Sequence, residues 1–476
     1  MDTFLTILAV ALPMLELMGI LAAMHAVMNA RTSQGAIAWA IALVTLPFMT
    51  LVPYAIFGRN KFHGYVSLRN RQDARLLHLS NRFQAEARDK HLMRPPATKA
   101  DNALVGLARM PIMGFNRSQL LINGQTTFEN LFHDIAAARS YVLVEFYVVK
   151  DDQLGGRLKE NLIRKAENGV KVYFLYDEIG SYQLPGSYLR EMEQAGIKVS
   201  AFHSTRGRTN HFQLNFRNHR KIVVIDGKTA YVGGHNVGDA YLSRHPKFGH
   251  WRDTHVKIEG PVVKSIQFCF LEDWHWATAT IPDLAWDLHP GPDGDEEALL
   301  IASGPADTLE TCGLMFTQII HMARERLWIA SPYFVPDTQI LGALKLAVLR
   351  GVDVRILLPE KADHRSVHLA SFSYYDRALP AGIKLYRYTA GFLHQKVLVM
   401  DQTCAAVGTA NLDNRSIRLN FELTLLNYDA AFVQAVAAML EDDFQHSRLV
   451  TMEEFSERAF LFKLAVQSAR LLAPIL

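Results

Sequence analysis

Apolar positions concentrate at the N-terminus. Residues 36–57 run for 22 positions without a charge (AIAWAIALVTLPFMTLVPYAIF), and about 20 apolar residues suffice to cross a bilayer as a helix. This run is the first expected membrane span. Pro47 and Pro53 are tolerated in membrane helices, and Trp39 and Tyr54 near its ends suit the two interfaces. Residues 4–27 form a second long apolar run that carries Glu16 and His25. A carboxylate in hydrocarbon is costly and usually faces a partner. The run therefore reads either as a second span or as an interfacial hairpin helix, and the apolar surface otherwise left in water favours the span. A cleaved leader is disfavoured, because Met-Asp-Thr puts no positive charge ahead of it.

From about residue 120 the pattern changes to strands alternating with helical stretches, the signature of an α/β sheet. A helix beginning near Thr127 precedes a β-rich run at 141–149; a helix at 155–168 precedes a strand at 170–176. Strands at 221–225 and 230–232 flank Asp226-Gly227-Lys228, a hairpin signal. The order then returns. A strand at 327–330 is followed by a helix at 337–349 with Asp337 as N-cap, then strands at 354–358, 396–400 and 405–407. Between the two runs, residues 286–298 (WDLHPGPDGDEEA) are rich in Pro, Gly and acid, as an exposed linker is. Residues 453–476 carry Phe455, Phe460, Leu461, Leu464, Ala465, Ala469, Leu471 and Leu472 among Arg458, Lys463 and Arg470. This is an imperfect amphipathic helix, expected to pack on the second α/β half rather than on a membrane surface.

Bulk composition adds little. The 476 residues carry a net charge of +3, too small to argue for a nucleic-acid-coating protein. Local charge says more. Arg59, Lys61, Arg69, Arg71 and Arg75 follow the apolar runs, whereas the turn between the runs has only Arg31. The positive-inside rule puts the large C-terminal part on the cytoplasmic side. The basic stretch also suits anionic headgroups, at about 1 kcal/mol per cation near the surface. Cys269, Cys312 and Cys404 are odd in number and widely spaced, so reduced, buried thiols are expected rather than disulfides or zinc ligands.

The candidate chemistry lies in a repeat. His219-Arg-Lys221, four residues and Asp226 lead to Gly233-Gly234 and Asn236; His394-Gln-Lys396, four residues and Asp401 lead to Gly408-Thr409 and Asn411. His, Lys, Asp, Gly and Asn all recur at one offset of 175 residues. One such motif is weak evidence, but five positions at a single offset in matching strand contexts are not a chance event. His and Lys two apart on a strand share a face. If the halves face one another, two imidazoles, two ammonium groups and two amides converge on a space suited to a phosphodiester. Lysines serve as point charges for non-bridging oxygens. Asn236, Asn411 and the backbone around Gly234 and Thr409 supply phosphate-binding donors. One imidazole attacks phosphorus, and the other carries the proton. No carboxylate or Cys/His cluster calls for a metal, and no cofactor is expected.

The paired motif resembles the HKD signature of the phospholipase D superfamily. Nearly the whole chain is similar to bacterial cardiolipin synthases within it. The likeness rests on residues 218–221 (NHRK), 231–236 (YVGGHN), 251–255 (WRDTH), 331–336 (SPYFVP), 408–416 (GTANLDNRS) and 470–474 (RLLAP). It implies an α/β fold of two phospholipase D-like lobes related by a pseudo-two-fold, each a mixed sheet flanked by helices, preceded by two N-terminal membrane helices. The expected divisions are 1–58 for the helix pair, 59–119 for a basic connector, 120–285 and 306–450 for the lobes, 286–305 for the linker and 451–476 for the C-terminal helix.

The resemblance further implies transfer of a phosphatidyl group from one phosphatidylglycerol to another through a phosphatidyl-histidine, without nucleic acid as partner. Anionic membrane lipid is the expected surroundings, and the membrane helices offer a route to oligomers. The same machinery using water would be a lipid hydrolase. His219 takes the nucleophile's place and His394 that of the acid and base, an order that local symmetry leaves exchangeable. By analogy an acid some 30 residues beyond each motif orients its imidazole. Glu422 lies 28 after His394 and Asp253 lies 34 after His219. The 175 offset fails here, since it pairs Glu422 with Lys247, which places a small insertion around 242–249. Asp226 and Asp401, though named among the motif's catalytic residues, sit at hairpin turns and are expected to be structural. Glu145 and Tyr333 are read as corresponding strand ends bordering the site. Arg415 suits either a headgroup or an ion pair within the second half, while His25 and His203 suit packing or surface.

Overall fold

The computed structural model describes residues 2–58, 62, 65, 74–202, 215–361, 363–456 and 458–473. Of the basic stretch, Arg59, Lys61, Arg69 and Arg71 lie outside these, as does His203. The chain falls into two compact units. One is formed by the N-terminal helices together with Asn215 and Phe216, and the other by the remaining described residues from Ala74 onward.

The N-terminal helices reverse the expected assignment. α1 (Asp2–Asn29) is one continuous helix, and its segment Ala9–Asn29 is the single helix long and apolar enough to cross a membrane among the described residues. The charge-free run at 36–57 breaks into α2 (Ser33–Thr45) and α3 (Pro47–Phe57), each too short to span alone. The cause is Pro47. It has no N–H, and its ring drives the preceding residue out of the helical region; Leu46 sits at φ −137°, ψ 56°. The shorter helices fold back on α1, with Ala23, Ala26, Leu43 and Tyr54 buried together. Gly19 permits the approach, because a Cβ there would collide with the Leu43 carbonyl oxygen. His25 is a packing residue whose Nδ1 meets the Tyr54 hydroxyl at 2.7 Å.

The second unit is a mixed α/β body. Its strands are β1 (Ile112–Ile122), β2 (Tyr141–Phe146), β3 (Lys171–Asp177), β4 (Lys198–Phe202), β5 (Ile222–Ile225), β6 (Thr229–Gly233) and β7 (Thr254–Glu259). There follow β8 (Glu296–Ser303), β9 (Arg326–Ala330), β10 (Asp353–Pro359), β11 (Lys384–Tyr388), β12 (Val397–Met400), β13 (Cys404–Gly408), β14 (Asn420–Asn427) and β15 (Ser447–Leu449). Hydrogen bonding runs β4-β3-β2-β5-β6-β7-β1 in the first half, and β11-β10-β9-β12-β13-β14-β8 in the second. In each half the first three strands are parallel and the rest antiparallel. Strand β1 also pairs with β8, joining the halves, while β15 extends the far edge beside β11.

The repeat survives at the level of register: Ile222 faces Val232, and 175 residues later Val397 faces Val407. Asp337 caps its helix as expected, accepting from the Ile340 amide. Residues 279–295 have neither helix nor strand, but β8 occupies part of the span expected as linker. Its acids concealed it: Leu299, Leu300 and Ile301 are buried, and the Glu296 carboxylate takes the Ser118 amide and the Asn427 side chain. A nearly fully buried helix, α4 (Val263–Thr278), packs on the first half. Three further helices, α5 (Arg365–Phe372), α6 (Ala430–Gln445) and α7 (Phe460–Arg470), belong to the second. All three cysteines are free and buried.

Candidate active site

Both motif histidines lie just ahead of a hairpin rather than on it. Residues 219–221 precede β5, and His394 to Lys396 precede β12. Each entry segment crosses to the other half. Arg217–Asn218 pairs in parallel with Asn420 and Phe421, and the His219 amide donates to the Phe421 carbonyl at 2.9 Å. Phe392–Leu393 pairs with Trp251 and Arg252, and the His394 amide donates to the Arg252 carbonyl at 2.8 Å.

This crossing corrects the expected acid pairing. Glu422 follows Phe421 in the chain, so it meets His219 and not the histidine of its own half; its carboxylate oxygens lie 2.9 and 3.0 Å from His219 Nδ1. Asp253 follows Arg252, and Asp253 Oδ2 lies 2.8 Å from His394 Nδ1. Asp253 and Glu422 are nonetheless the equivalent positions. His255 pairs with Gly233 and Thr424 with Gly408, so the offset falls from 175 to 169 across the first half's insertion. A carboxylate at Nδ1 favours a proton there and so places the lone pair of the neutral ring on Nε2.

Lys221 Nζ donates to the His219 carbonyl at 2.5 Å, and Lys396 Nζ lies 2.9 and 3.1 Å from the two ring nitrogens of His394. All four side chains are buried or nearly so, and their ionisation responds as one cluster. Burial pulls His219 down to about 4 despite Glu422, with Lys221 and Lys396 adding to the fall. It also lowers Lys221 to about 7, with Lys396 contributing, and Lys396 to about 8. His394 is lowered by burial and by Lys396, against Asp253. Burial alone would raise Asp253, but His235, Lys396 and His394 outweigh it and hold it well below the carboxylate range. Glu422 is likewise lowered, burial being overcome by His219 and Lys221. The site thus combines imidazoles and lysines weakened by burial with ionised acids, a balance that a bound anion would shift toward the cationic forms.

The remaining expected site residues divide. The Thr409 amide, expected as a phosphate donor, bonds the Leu423 carbonyl at 2.8 Å, while its hydroxyl donates to Glu422 Oε2 at 2.6 Å and accepts from the Leu423 amide. Gly234 is likewise no free donor, because its amide bonds the Thr254 carbonyl. Its missing Cβ makes room for Asp253, whose Oδ1 would collide with one. The Asn236 side chain bridges the Val148 amide and the Tyr241 hydroxyl. Asn411 keeps a buried Oδ1 without a hydrogen-bond partner, its Nδ2 being 3.4 Å from Asp413. Asp226 accepts from the amides of Arg139, Ser140 and Tyr141, and Asp401 from those of Arg324, Glu325 and Arg326. Both stand at φ +52° at the hairpin turns, which fits a structural role and not the catalytic one their motif's name assigns.

Glu145 and Tyr333 are not equivalent. Glu145 faces Ile222, and the residue facing Val397 in the second half is Ala330. Glu145 lies in a buried set with Asn218, Arg220 and Asp273. Burial and Asp273 hold its carboxyl well above the usual range. Tyr333 donates to Asp363 at 2.5 Å. Arg415 is half-buried and interacts electrostatically with Arg217, Tyr147 and Asp177 of the first half.

Sequence reading missed the walls. The Tyr147 ring lies edge-on to His219 at 4.9 Å, while Tyr241, Trp251 and Phe392 lie 5.2 to 6.3 Å from the His394 ring, and Trp251 is 4.7 Å from both Tyr241 and Phe392. It also missed His235 and His255, buried and 3.1 Å apart behind Asp253. Their counterparts in the second half are Ala410 and Thr424, so the repeat did not flag them.

Comparison with known proteins extends this geometry. A family model described as "Cardiolipin synthase, PLD-like domain" matches residues 131–267 and again 316–445. Cardiolipin synthase A of Pseudomonas putida is 47% identical over 469 residues, covering 98% of this chain and 98% of that protein. Cardiolipin synthase A of Pseudomonas aeruginosa is 48% identical over 483 residues, covering 100% and 97%. Among solved structures, the phosphatidylserine synthase of Haemophilus influenzae aligns with a TM-score of 0.58 at 16% identity. It covers 80% of this chain and all of its own, a likeness of fold.

Proposed function

This chain belongs to the cardiolipin synthase family with phospholipase D-like domains, and from that premise we propose that it joins two phosphatidylglycerol molecules through a phosphatidyl-histidine. The enzyme is a phosphatidyltransferase making cardiolipin. Binding of the diester anion favours the imidazolium form of His394, with a proton on Nε2 as well as Nδ1. In the first step His219 Nε2 attacks phosphorus, the bond to the terminal glycerol oxygen breaks, and the His394 imidazolium passes its Nε2 proton to that oxygen, becoming neutral. Glycerol leaves. In the second step His394 Nε2 takes the proton of a glycerol hydroxyl on the next phosphatidylglycerol, and that oxygen attacks phosphorus. The P–N bond breaks and His219 is restored. Protonated Lys221 and Lys396 hold the non-bridging oxygens throughout.

The observation that carries this reading is the crossed pairing of His219 with Glu422 and of His394 with Asp253. Each half completes the other's catalytic group, so neither motif is an independent site. Matching strand orders and the 175-residue offset support a pseudo-two-fold pair of lobes around one phosphate. α1 spans the membrane, with α2 and α3 as a short hairpin against it, and the catalytic body faces the cytoplasm.

The test incubates purified enzyme with labelled phosphatidylglycerol and scores cardiolipin, glycerol and an acid-labile phosphatidyl adduct. Cardiolipin and glycerol should appear in equal amounts, and the adduct should vanish in His219→Ala. Phosphatidic acid as the sole lipid product would replace the transferase by a hydrolase.

A further inference from the structure

The C-terminal helix α7 carries two apolar faces, and the body of the protein covers one. At 100° per residue, Phe462, Val466, Ala469 and Ala473 fall on one side. Val466, Ala469 and Ala473 are buried, and the Phe462 ring packs 5.4 Å from Phe372 of α5. Roughly 130° round the helix, Leu461, Leu464, Ala465, Leu471 and Leu472 form a second strip. Leu461 is 76% exposed, Leu464 52% and Leu471 81%. Phe460, at its edge, is 74% exposed. Lys463 and Arg470 border the strip, Arg458 stands just ahead, and the helix contains no acid. An amphipathic helix with an unpartnered leucine face and a cationic border matches the chemistry of an anionic bilayer surface.

The location points the same way. Phe372 ends α5, which begins two residues after Asp363. Asp363 holds the Tyr333 hydroxyl and acts electrostatically on both His394 and Lys396. The exposed strip is therefore on a helix that packs, through Phe462 and Phe372, against the element that follows Asp363. A second copy of the chain fits less well, since stacking two such strips brings their cationic borders together.

We propose that α7 is a membrane-docking surface. Its Leu461–Leu464–Leu471–Leu472 strip enters the headgroup and acyl boundary of an anionic bilayer, and Arg458 and Arg470 lie toward lipid phosphates. The consequence is that the second half is held at the lipid surface independently of α1, with the site mouth kept close to membrane-resident substrate. The proposal rests on a lipid substrate, but its main readout needs no turnover, so it fails separately from the proposed reaction.

The test places a single thiol-reactive bimane on the full-length protein at Leu464→Cys, Leu471→Cys or Gln467→Cys. Cys269, Cys312 and Cys404 are buried and leave the new thiol as the reactive one. In nanodiscs of phosphatidylglycerol and phosphatidylethanolamine, brominated acyl chains should quench the labels at 464 and 471 about twofold or more, and the label at 467 far less. Equal or absent quenching at the three positions overturns the proposal, as does disulfide formation between the 464 thiols of two copies without quenching. Second, the combined Leu461→Gln, Leu464→Gln and Leu471→Gln protein should show a several-fold higher KM for phosphatidylglycerol in nanodiscs and an unchanged kcat on monomeric short-chain phosphatidylglycerol. Equal loss on both substrates would mean that the strip serves folding, and the docking role would fall.

Discussion

Lys221 and Lys396 tie activity to pH from the alkaline side. In the proposed reaction they hold the diester only when protonated, and burial has brought them down to about 7 and about 8. Their charge is lost as pH rises through that window, so kcat/KM should fall there. The kcat limb should lie at higher pH, because the bound anion stabilises both cations. His219, brought down to about 4, remains neutral below pH 6, as the proposed nucleophile must. A pH–rate profile flat from 6 to 9.5 would contradict this assignment. Stability should move the opposite way. Between the native value of Lys221 near 7 and its ordinary 10.5 the unfolded chain binds the extra proton, so stability from this group rises with pH. The crossed acids make a second residue-level prediction. Glu422→Gln and Asp253→Asn should each lower turnover by about 10³-fold or more, as loss of an orienting carboxylate does in a triad. A phosphatidyl ester with a p-nitrophenol leaving group needs no acid in the first step. On it, Asp253→Asn should still form the histidine adduct, whereas Glu422→Gln should not. Rescue of both variants, or of neither, would show that the acids do not serve separate imidazoles.

At the scale of elements, backbone geometry sets the acids. Gly234 ends the β6 hairpin against Asp253, and its Cβ would occupy the position of Oδ1. Gly234→Ala should therefore cut kcat sharply by displacing the partner of His394. Gly342 lies in the helix Thr338–Leu349, and a methyl group added at its Cα would meet nothing within 4 Å. Gly342→Ala should stabilise the protein by about 0.4–1 kcal/mol and leave turnover unchanged. Urea unfolding and initial rates on the two variants decide both claims. The N-terminus teaches a related lesson. Hydropathy ranked the charge-free run above the one with Glu16, but helix continuity depended on proline placement. Pro47 interrupts the first run, and Pro13 sits inside an unbroken α1.

At the scale of the molecule, buried charges clamp the halves together. Arg252, beside the first half's acid, pairs with Asp443 of α6 through Nε at 2.6 Å and Nη2 at 2.8 Å, and both residues are buried. Asp443 also receives the side chain of Gln395, the middle residue of the second motif. In the first motif, the middle residue Arg220 reaches Asp273 and the carbonyls of Glu422 and Ser303. Breaking one member of such a pair leaves an uncompensated buried charge. Asp443→Leu should destabilise by about 3–5 kcal/mol, and adding Arg252→Met should recover most of it. Chemical denaturation of the two single variants and the double variant measures the coupling. Additive losses would mean that the two residues do not act as a pair.

Much of this was written in the one-dimensional pattern. Alternating apolar runs located the strands on either side of both motif hairpins but missed others such as Ile112–Ile122 and Asn420–Asn427, and the 175-residue repeat picked out His219, Lys221, His394 and Lys396 because residue identity and spacing survive in sequence. What could not be read there was partnership. Glu422 and Asp253 lie nearest, along the chain, to the histidines they do not serve, and only the parallel pairing of 217–218 with 420–421 and of 392–393 with 251–252 brings each acid across. Thr409 and Gly234 were legible as positions but not as roles, since a hydroxyl or a missing Cβ acquires its use from what packs against it. Local composition dictates which elements form, whereas contacts between residues more than a hundred positions apart are settled by how those elements pack.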